Sequence, residues 1–249
     1  MIIANWKMNG TRQSVTEWID SVSRKIDIDN INPCIFCPPA CYLDHAKDLI
    51  EKHNNHIKLG SQIINTSQND EPLTGGISAI MLKDVGAEYV IIGHSEQRDL
   101  HKKNNNRLMQ DVDKALNEKL KVIFCIGEDL QTKKNSETRI RLGEQLDAAF
   151  GEYSSEYQKR SVTVAYEPIW AIGTGLNAEK EYIEEMHAFI KQYIKNHLGL
   201  IDIFPHVLYG GSVKLDNCEE ILSSDNVDGL LIGGASLDSE TFSKIYNLS

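Results

Sequence analysis

Short apolar runs alternate with longer stretches of helical spacing along the chain, and polar residues or glycines stand where each run ends. Ile2-Ile3-Ala4 leads into Asn5 and Lys7. Val15, Trp18, Ile19, Val22 and Ile26 then recur at the spacing that places side chains on one face of a helix. Ser14 and Glu17 predict a capping box at its start. Ile35-Phe36 reads as a second strand closed by Pro38-Pro39, with Leu43, Ala46, Leu49 and Ile50 marking the next helix. Residues 57–62 are strand-like, the polar stretch 65–74 is a long loop, and Ser78 opens a helix that stops at Gly86.

The pattern continues to the end of the chain. Residues 89–92 form an apolar strand running into Gly93-His94-Ser95-Glu96, followed by a helix through Leu108, Val112, Ala115, Leu116 and Leu120. A strand over 121–126 ends at Gly127-Glu128, and Ile140, Leu142, Leu146 and Phe150 predict the helix after it. Val162 and Val164 belong to a strand ending at Glu167. Ile183, Met186, Ile190, Tyr193 and Ile194 give a further helix, and short strands at 207–209 and 230–232 run into Gly210-Gly211-Ser212 and Gly233-Gly234. That makes eight strand-then-helix units without a tight hairpin signal, which predicts an α/β fold: a closed (β/α)8 barrel of parallel strands, residues 1–249 forming one domain. An open doubly wound sheet is the alternative. Polar residues at nearly every strand end favour the barrel.

In such a barrel the carboxyl ends of the strands open into one mouth, so Asn5, Lys7, His94, Glu167, Ser212, Gly233 and Gly234 are expected to meet there. Each alone has an ordinary structural explanation: a solvated lysine, a satisfied core imidazole, a turn glycine. Convergence from separate strands selects the functional one. The richest stretch is 161–178, where a buried strand runs straight into Glu167. Pro168 holds that residue in extended geometry, and Ile169, Trp170, Ala171 and Ile172 then form an apolar flap before Gly173-Thr174-Gly175. Gly173-x-Gly175-x-x-Ala178 also satisfies a dinucleotide fingerprint. The spacing argues against it, because several residues separate the strand from Gly173 and no acidic residue ends the next strand. Glycine turns after the last two strands imply a phosphorylated ligand held on backbone amides. One carboxylate base and one imidazole suit proton transfer beside a carbonyl.

Charge and cysteines narrow the field. A formal net charge of −10 argues against nucleic acid or an anionic membrane as partner, and makes Lys7 a local exception in an acidic molecule. Neither a membrane-length apolar run nor a leader segment is evident, which predicts a cytoplasmic protein. Five cysteines, an odd number, fit a reducing compartment. Cys34, Cys37, Cys41 and His45 have zinc-like spacing, but a strand from Cys34 to Cys37 would throw the two sulfurs to opposite faces, so buried structural thiols are expected and no metal.

These motifs together resemble the triosephosphate isomerase family along the whole chain, from Asn5-Trp6-Lys7-Met8-Asn9-Gly10 to Gly233-Gly234-Ala235-Ser236. The most specific are Ala165 through Gly175, Gly93-His94-Ser95-Glu96 and Tyr209-Gly210-Gly211-Ser212. The resemblance implies a TIM barrel and, without a cofactor, the interconversion of glyceraldehyde 3-phosphate and dihydroxyacetone phosphate in glycolysis and gluconeogenesis. It implies Glu167 as base, His94 as electrophile, Lys7 as charge partner and Asn5 as a substrate contact. The phosphate would rest on the amides of Gly173, Ser212, Gly233 and Gly234. It further implies a homodimer in which the loop over 65–74 enters the partner subunit. Three features depart from the family pattern. Leu176-Asn177 follows the flap glycine where a lysine is common, while Gly76 and Gln97 replace a glutamate and an arginine associated with the subunit contact. A phosphosugar-binding barrel without activity would need no base, and Glu167 with His94 argues against it. An isomerase or aldol-type barrel for a larger phosphosugar remains the other reading.

Overall fold

The computed structural model describes residues 1–53, 56–65, 72–101, 104–150, 160–172, 178–198 and 205–249, with the side chain of His101 excluded. Its strands are β1 (Ile2–Asn5), β2 (Cys34–Cys37), β3 (Ile57–Ser61), β4 (Tyr89–Ile92), β5 (Lys121–Ile126), β6 (Val162–Tyr166), β7 (Val207–Tyr209) and β8 (Leu230–Ile232). Every neighbouring pair is parallel, and β8 returns to β1, closing the barrel through Ile3 opposite Leu231. All the strands predicted from the apolar runs are present.

Alternation along the strands builds two apolar layers. Ile3, Ile35, Cys37, Tyr89, Ile91, Ile123, Cys125, Ala165, Leu208 and Leu231 fill the barrel interior. Their neighbours, among them Ile2, Ala4, Cys34, Phe36, Val122, Phe124 and Val164, face outward onto the helices. Cys34 and Cys37 therefore fall on opposite faces, as the strand geometry requires, and burial pushes both thiols up out of their ordinary range.

The helices are α1 (Arg12–Lys25), α2 (Leu43–Lys52), α3 (Ala79–Asp84), α4 (Ser95–His101), α5 (Asn105–Asn117), α6 (Leu130–Lys134), α7 (Thr138–Phe150), α8 (Lys180–Asn196), α9 (Cys218–Leu222) and α10 (Ser239–Asn247). Two sequence readings need correction. The capping box of α1 is Thr11 with Ser14, so the helix starts a turn earlier than Ser14 and Glu17 suggested, and Gln13 instead takes the Glu17 carboxylate across one turn. Ile140, expected on the apolar face of this helix, is 67% exposed, since α7 turns Leu142, Gly143, Gln145, Leu146 and Ala149 inward instead. The eight-unit pattern requires a helix after β7 and another after β8: α9 supplies only five residues, while α10 buries Phe242, Ile245 and Tyr246 at helical spacing.

An aromatic cluster carries the barrel's first strand to its last turn. Trp18 of α1 stacks on Phe36 at 4.4 Å between ring centroids, with Trp6 edge-on to both and Phe242 of α10 at 5.0 Å from Trp18. Both indole N–H groups donate to the carbonyl of Ser236, at 3.2 Å from Trp6 and 2.8 Å from Trp18. Ser236 in turn donates to the Gly233 carbonyl through its amide and its hydroxyl. Truncating Trp18 to alanine would cost about 3–5 kcal/mol by large-to-small substitution alone, and would also loosen the turn that carries Gly233 and Gly234.

Candidate active site

A cavity of about 270 Å³ opens at the carboxyl ends of the strands. Asn5, Lys7, His94, Glu167, Ser212, Gly233 and Gly234 all line it, together with Ile172 of the flap. The last of the sequence-predicted site residues, Gly173, lies outside the described residues.

Glu167 leaves β6 at its tip and is 2% exposed. Its amide donates to Ile126 O at 2.8 Å, which continues the β5–β6 pairing one residue past the strand. Two glycines make room for it. A Cβ on Gly127 would fall 1.9 Å from the Glu167 carbonyl, so only glycine lets these two backbones approach so closely, and one on Gly210 would crowd the Glu167 Cγ at 3.0 Å. The carboxylate takes the Ser95 amide on Oε2 at 3.2 Å. Its other oxygen, Oε1, is buried without a hydrogen bond from any described residue, 3.1 Å from His94 Nε2 but not aligned for a bond to it. Such an oxygen is free to take a proton.

His94 stands immediately before α4, its carbonyl accepting the amides of Gln97 and Arg98. Nδ1 of its ring accepts the Glu96 amide at 3.3 Å. That bond assigns the ring proton to Nε2, the nitrogen facing Glu167 and the cavity.

Lys7 sits in the left-handed region at φ 53°, a conformation that costs an L-residue about 1–2 kcal/mol. Three contacts hold it there: its amide donates to Asn5 Oδ1 at 3.2 Å, Gln62 Nε2 donates to its carbonyl at 2.9 Å, and its ammonium meets Glu96 Oε1 at 2.7 Å. Burial pushes the Glu96 carboxyl up, but the hydrogen bond and charge of Lys7 outweigh it and leave that group below its ordinary value. Opposite, the amides of Ser212 and Gly233 find no backbone acceptor among the described residues and border the cavity. A cation and free amides thus converge in one concavity, which suits a small dianion.

Several supporting residues escaped the sequence reading. Arg98 is largely buried and donates to the carbonyls of Gly93 at 2.7 Å and Cys125 at 3.0 Å, and to Asn105 Oδ1 at 3.0 Å. Burial lowers its pKa to about 10. Glu128, 1% exposed, accepts from Tyr166, Tyr182 and Trp170, the last at 2.8 Å through the indole N–H. Burial raises its pKa, against the opposing effect of those three donors. Lys133 lies 3.4 Å above the Trp170 ring and 4.0 Å above that of Tyr182. The first turn of the flap, Ile169–Ala171, is therefore tied to the tip of β5 and the start of α8. No spacing in the sequence announces a carboxylate that serves only as an acceptor for three aromatic donors.

Similarity to known proteins extends over the whole chain. The sequence model described as Triosephosphate isomerase matches residues 1–249. The chain is 38% identical over 247 residues to the triosephosphate isomerase of Baumannia cicadellinicola subsp. Homalodisca coagulata, covering 98% of this chain and 94% of that protein. It is likewise 38% identical over 249 residues to that of Alkaliphilus oremlandii, with 99% and 98% covered. The triosephosphate isomerase of Hydrogenovibrio crunogenus matches at 36% over 241 residues, covering 97% of this chain and 94% of that protein. With a closed parallel barrel, a carboxylate and an imidazole facing across its mouth, and relatives matching almost end to end, the chain belongs to the triosephosphate isomerase family.

Proposed function

We propose that this protein interconverts D-glyceraldehyde 3-phosphate and dihydroxyacetone phosphate, a step of glycolysis and gluconeogenesis, by moving one proton between adjacent carbons through an enediolate. The observation that carries the reading is the buried, unbonded Oε1 of Glu167 facing His94 Nε2 at 3.1 Å inside a cavity bordered by Lys7 and by glycine amides. Glu167 takes the proton from the carbon beside the carbonyl and returns it to the neighbouring carbon. His94, its proton on Nε2, donates to the oxygen on which negative charge develops. Lys7 adds a positive charge beside that oxygen and the phosphate, and Asn5 orders the Lys7 backbone from below. Ser212, Gly233 and Gly234 carry the phosphate on their amides, and Gly173 keeps the same assignment from its sequence motif alone. Closing the flap over Ile172 would exclude water from the enediolate, which otherwise eliminates phosphate.

The chain acts as a single barrel domain over residues 1–249 and as a cytoplasmic homodimer. Supporting the dimer are Met8, Leu73, Ile80 and Met81, apolar side chains left 95%, 49%, 64% and 60% exposed after β1 and β3. No helix among the described residues is long and apolar enough to cross a membrane. A coupled assay of the purified protein with each triose phosphate tests the reaction. Turnover in both directions is expected, and a protein that binds the trioses without converting them would overturn it.

A further inference from the structure

The main chain of Ile126–Glu128 runs beside that of Glu167–Ile169 as a rail. Glu167 N donates to Ile126 O at 2.8 Å, Ile169 N donates to Glu128 O at 3.1 Å, and between them the Glu167 carbonyl rests against the Cα of Gly127. Wherever Gly127 goes, the backbone of the carboxylate must follow, since the two are already closer than any side chain would allow. The far side of this rail lies beyond the end of β4, whose last pairing with β5 is Ile92 opposite Phe124. A strand neighbour is missing there.

Gln145 takes its place. This residue of α7 is 1% exposed, and its amide grips one residue at both ends: Oε1 accepts Gly127 N at 2.8 Å, and Nε2 donates to Gly127 O at 3.1 Å. A buried amide with both halves satisfied by a single glycine fixes that glycine in two directions. Gln145 does not border the cavity and touches no reacting group.

We propose that Gln145 is a positioning residue for the isomerisation, which holds Gly127 and through it sets the place of Glu167 against the substrate carbons. The inference rests on the function proposed above. Errors of about 1 Å in such placement cost about a hundredfold in rate, so the effect belongs in kcat, while the phosphate-binding amides past the ends of β7 and β8 are untouched.

The test compares the parent with Gln145→Leu, which loses both bonds, and Gln145→Glu, which can restore both only when its carboxyl is protonated. Steady-state kinetics, thermal melting and inhibition by inorganic phosphate are measured on each. For Gln145→Leu, kcat should fall about tenfold to a hundredfold, with KM and the phosphate inhibition constant within about threefold of the parent. For Gln145→Glu, kcat relative to the parent should rise as pH falls from about 8 to about 6, because burial favours the protonated acid. A folded Gln145→Leu with parental kcat, or a loss confined to KM, would overturn the inference. Should Gln145→Leu fail to fold, a Gln145→Glu protein with parental kcat at every pH overturns it instead. An inactive parent would remove the function and this inference together, whereas an active parent with indifferent variants removes the inference alone.

Discussion

His94 Nε2 and Glu167 Oε1 lie 3.1 Å apart although the residues follow different strands and 73 positions separate them in the chain. The imidazole's other nitrogen is engaged by the Glu96 amide, so its proton sits on Nε2, which borders the cavity beside the carboxylate. A base and a hydrogen-bond donor facing each other across a few ångströms is the arrangement that proton transfer next to a carbonyl requires.

Replacing the base should separate chemistry from binding. Glu167→Gln is expected to lower kcat by about a thousandfold, in the range of general-base losses, while inhibition by inorganic phosphate stays within about threefold. Parental turnover in the purified variant would remove Glu167 from the role of base.

Removing the cation should do both. Lys7→Met leaves Glu96, 57% exposed on its side chain, with water in place of the ammonium, so the fold loses little. Loss of a charge partner in a partly enclosed site should weaken binding of dianionic inhibitors by about 2 kcal/mol, roughly thirtyfold. Titrations at low and high salt check this, because the contrast with the parent should shrink as salt rises. Equal affinity at low salt would mean that the amides suffice alone.

His187 makes stability fall in acid. It is fully buried, its Nδ1 meets Asn226 O at 3.2 Å, and its Nε2 has no partner among the described residues. Burial lowers its pKa to about 4 from 6.5, with the Asn226 bond and Asp228 opposing and Lys191 assisting. A base with a depressed folded pKa leaves the unfolded chain binding more protons, so stability is complete above about pH 6.5 and declines down to about pH 4. The loss across that window is on the order of 3 kcal/mol. Urea midpoints of the parent and His187→Asn across this range provide the check. The slope should flatten in the variant, and parallel curves would assign the acid loss elsewhere.

The proposed subunit contact gives a coupled prediction. Gln97 Oε1 is buried and unbonded among the described residues, and a Cβ on Gly76 would meet Leu73 O at 3.0 Å and Asn65 O at 3.1 Å. Gly76→Glu alone should weaken the dimer by about 1–3 kcal/mol through an unpaired carboxylate. Adding Gln97→Arg should recover part of that, with a coupling of about 0.5 kcal/mol or more. Gly76→Ala measures the crowding by itself. Sedimentation of the parent, the singles and the double decides the matter, and strict additivity or a monomeric parent would refute it.

How far the chain announces itself depends on whether a feature repeats locally. A short apolar run such as Ile2-Ile3-Ala4 or Tyr89–Ile92 is a property of neighbouring residues, so the strands, the closed barrel and the tips carrying Asn5, Lys7, His94, Glu167, Ser212 and Gly233 were legible without coordinates. Helix starts were less so. Thr11 and Ser14 cap α1 where Ser14 and Glu17 satisfied the same pattern, because two overlapping polar triplets compete and only the path out of β1 chooses between them. Partner choice for buried polar groups was not legible at all. Gln145 on Gly127, Gln62 on Lys7, Glu128 on Trp170 and two indoles on Ser236 span 18, 55, 42 and as many as 230 residues. Such groups must be satisfied once water is excluded, but which acceptor lies within reach is decided only when the barrel closes and brings distant backbone to a few ångströms.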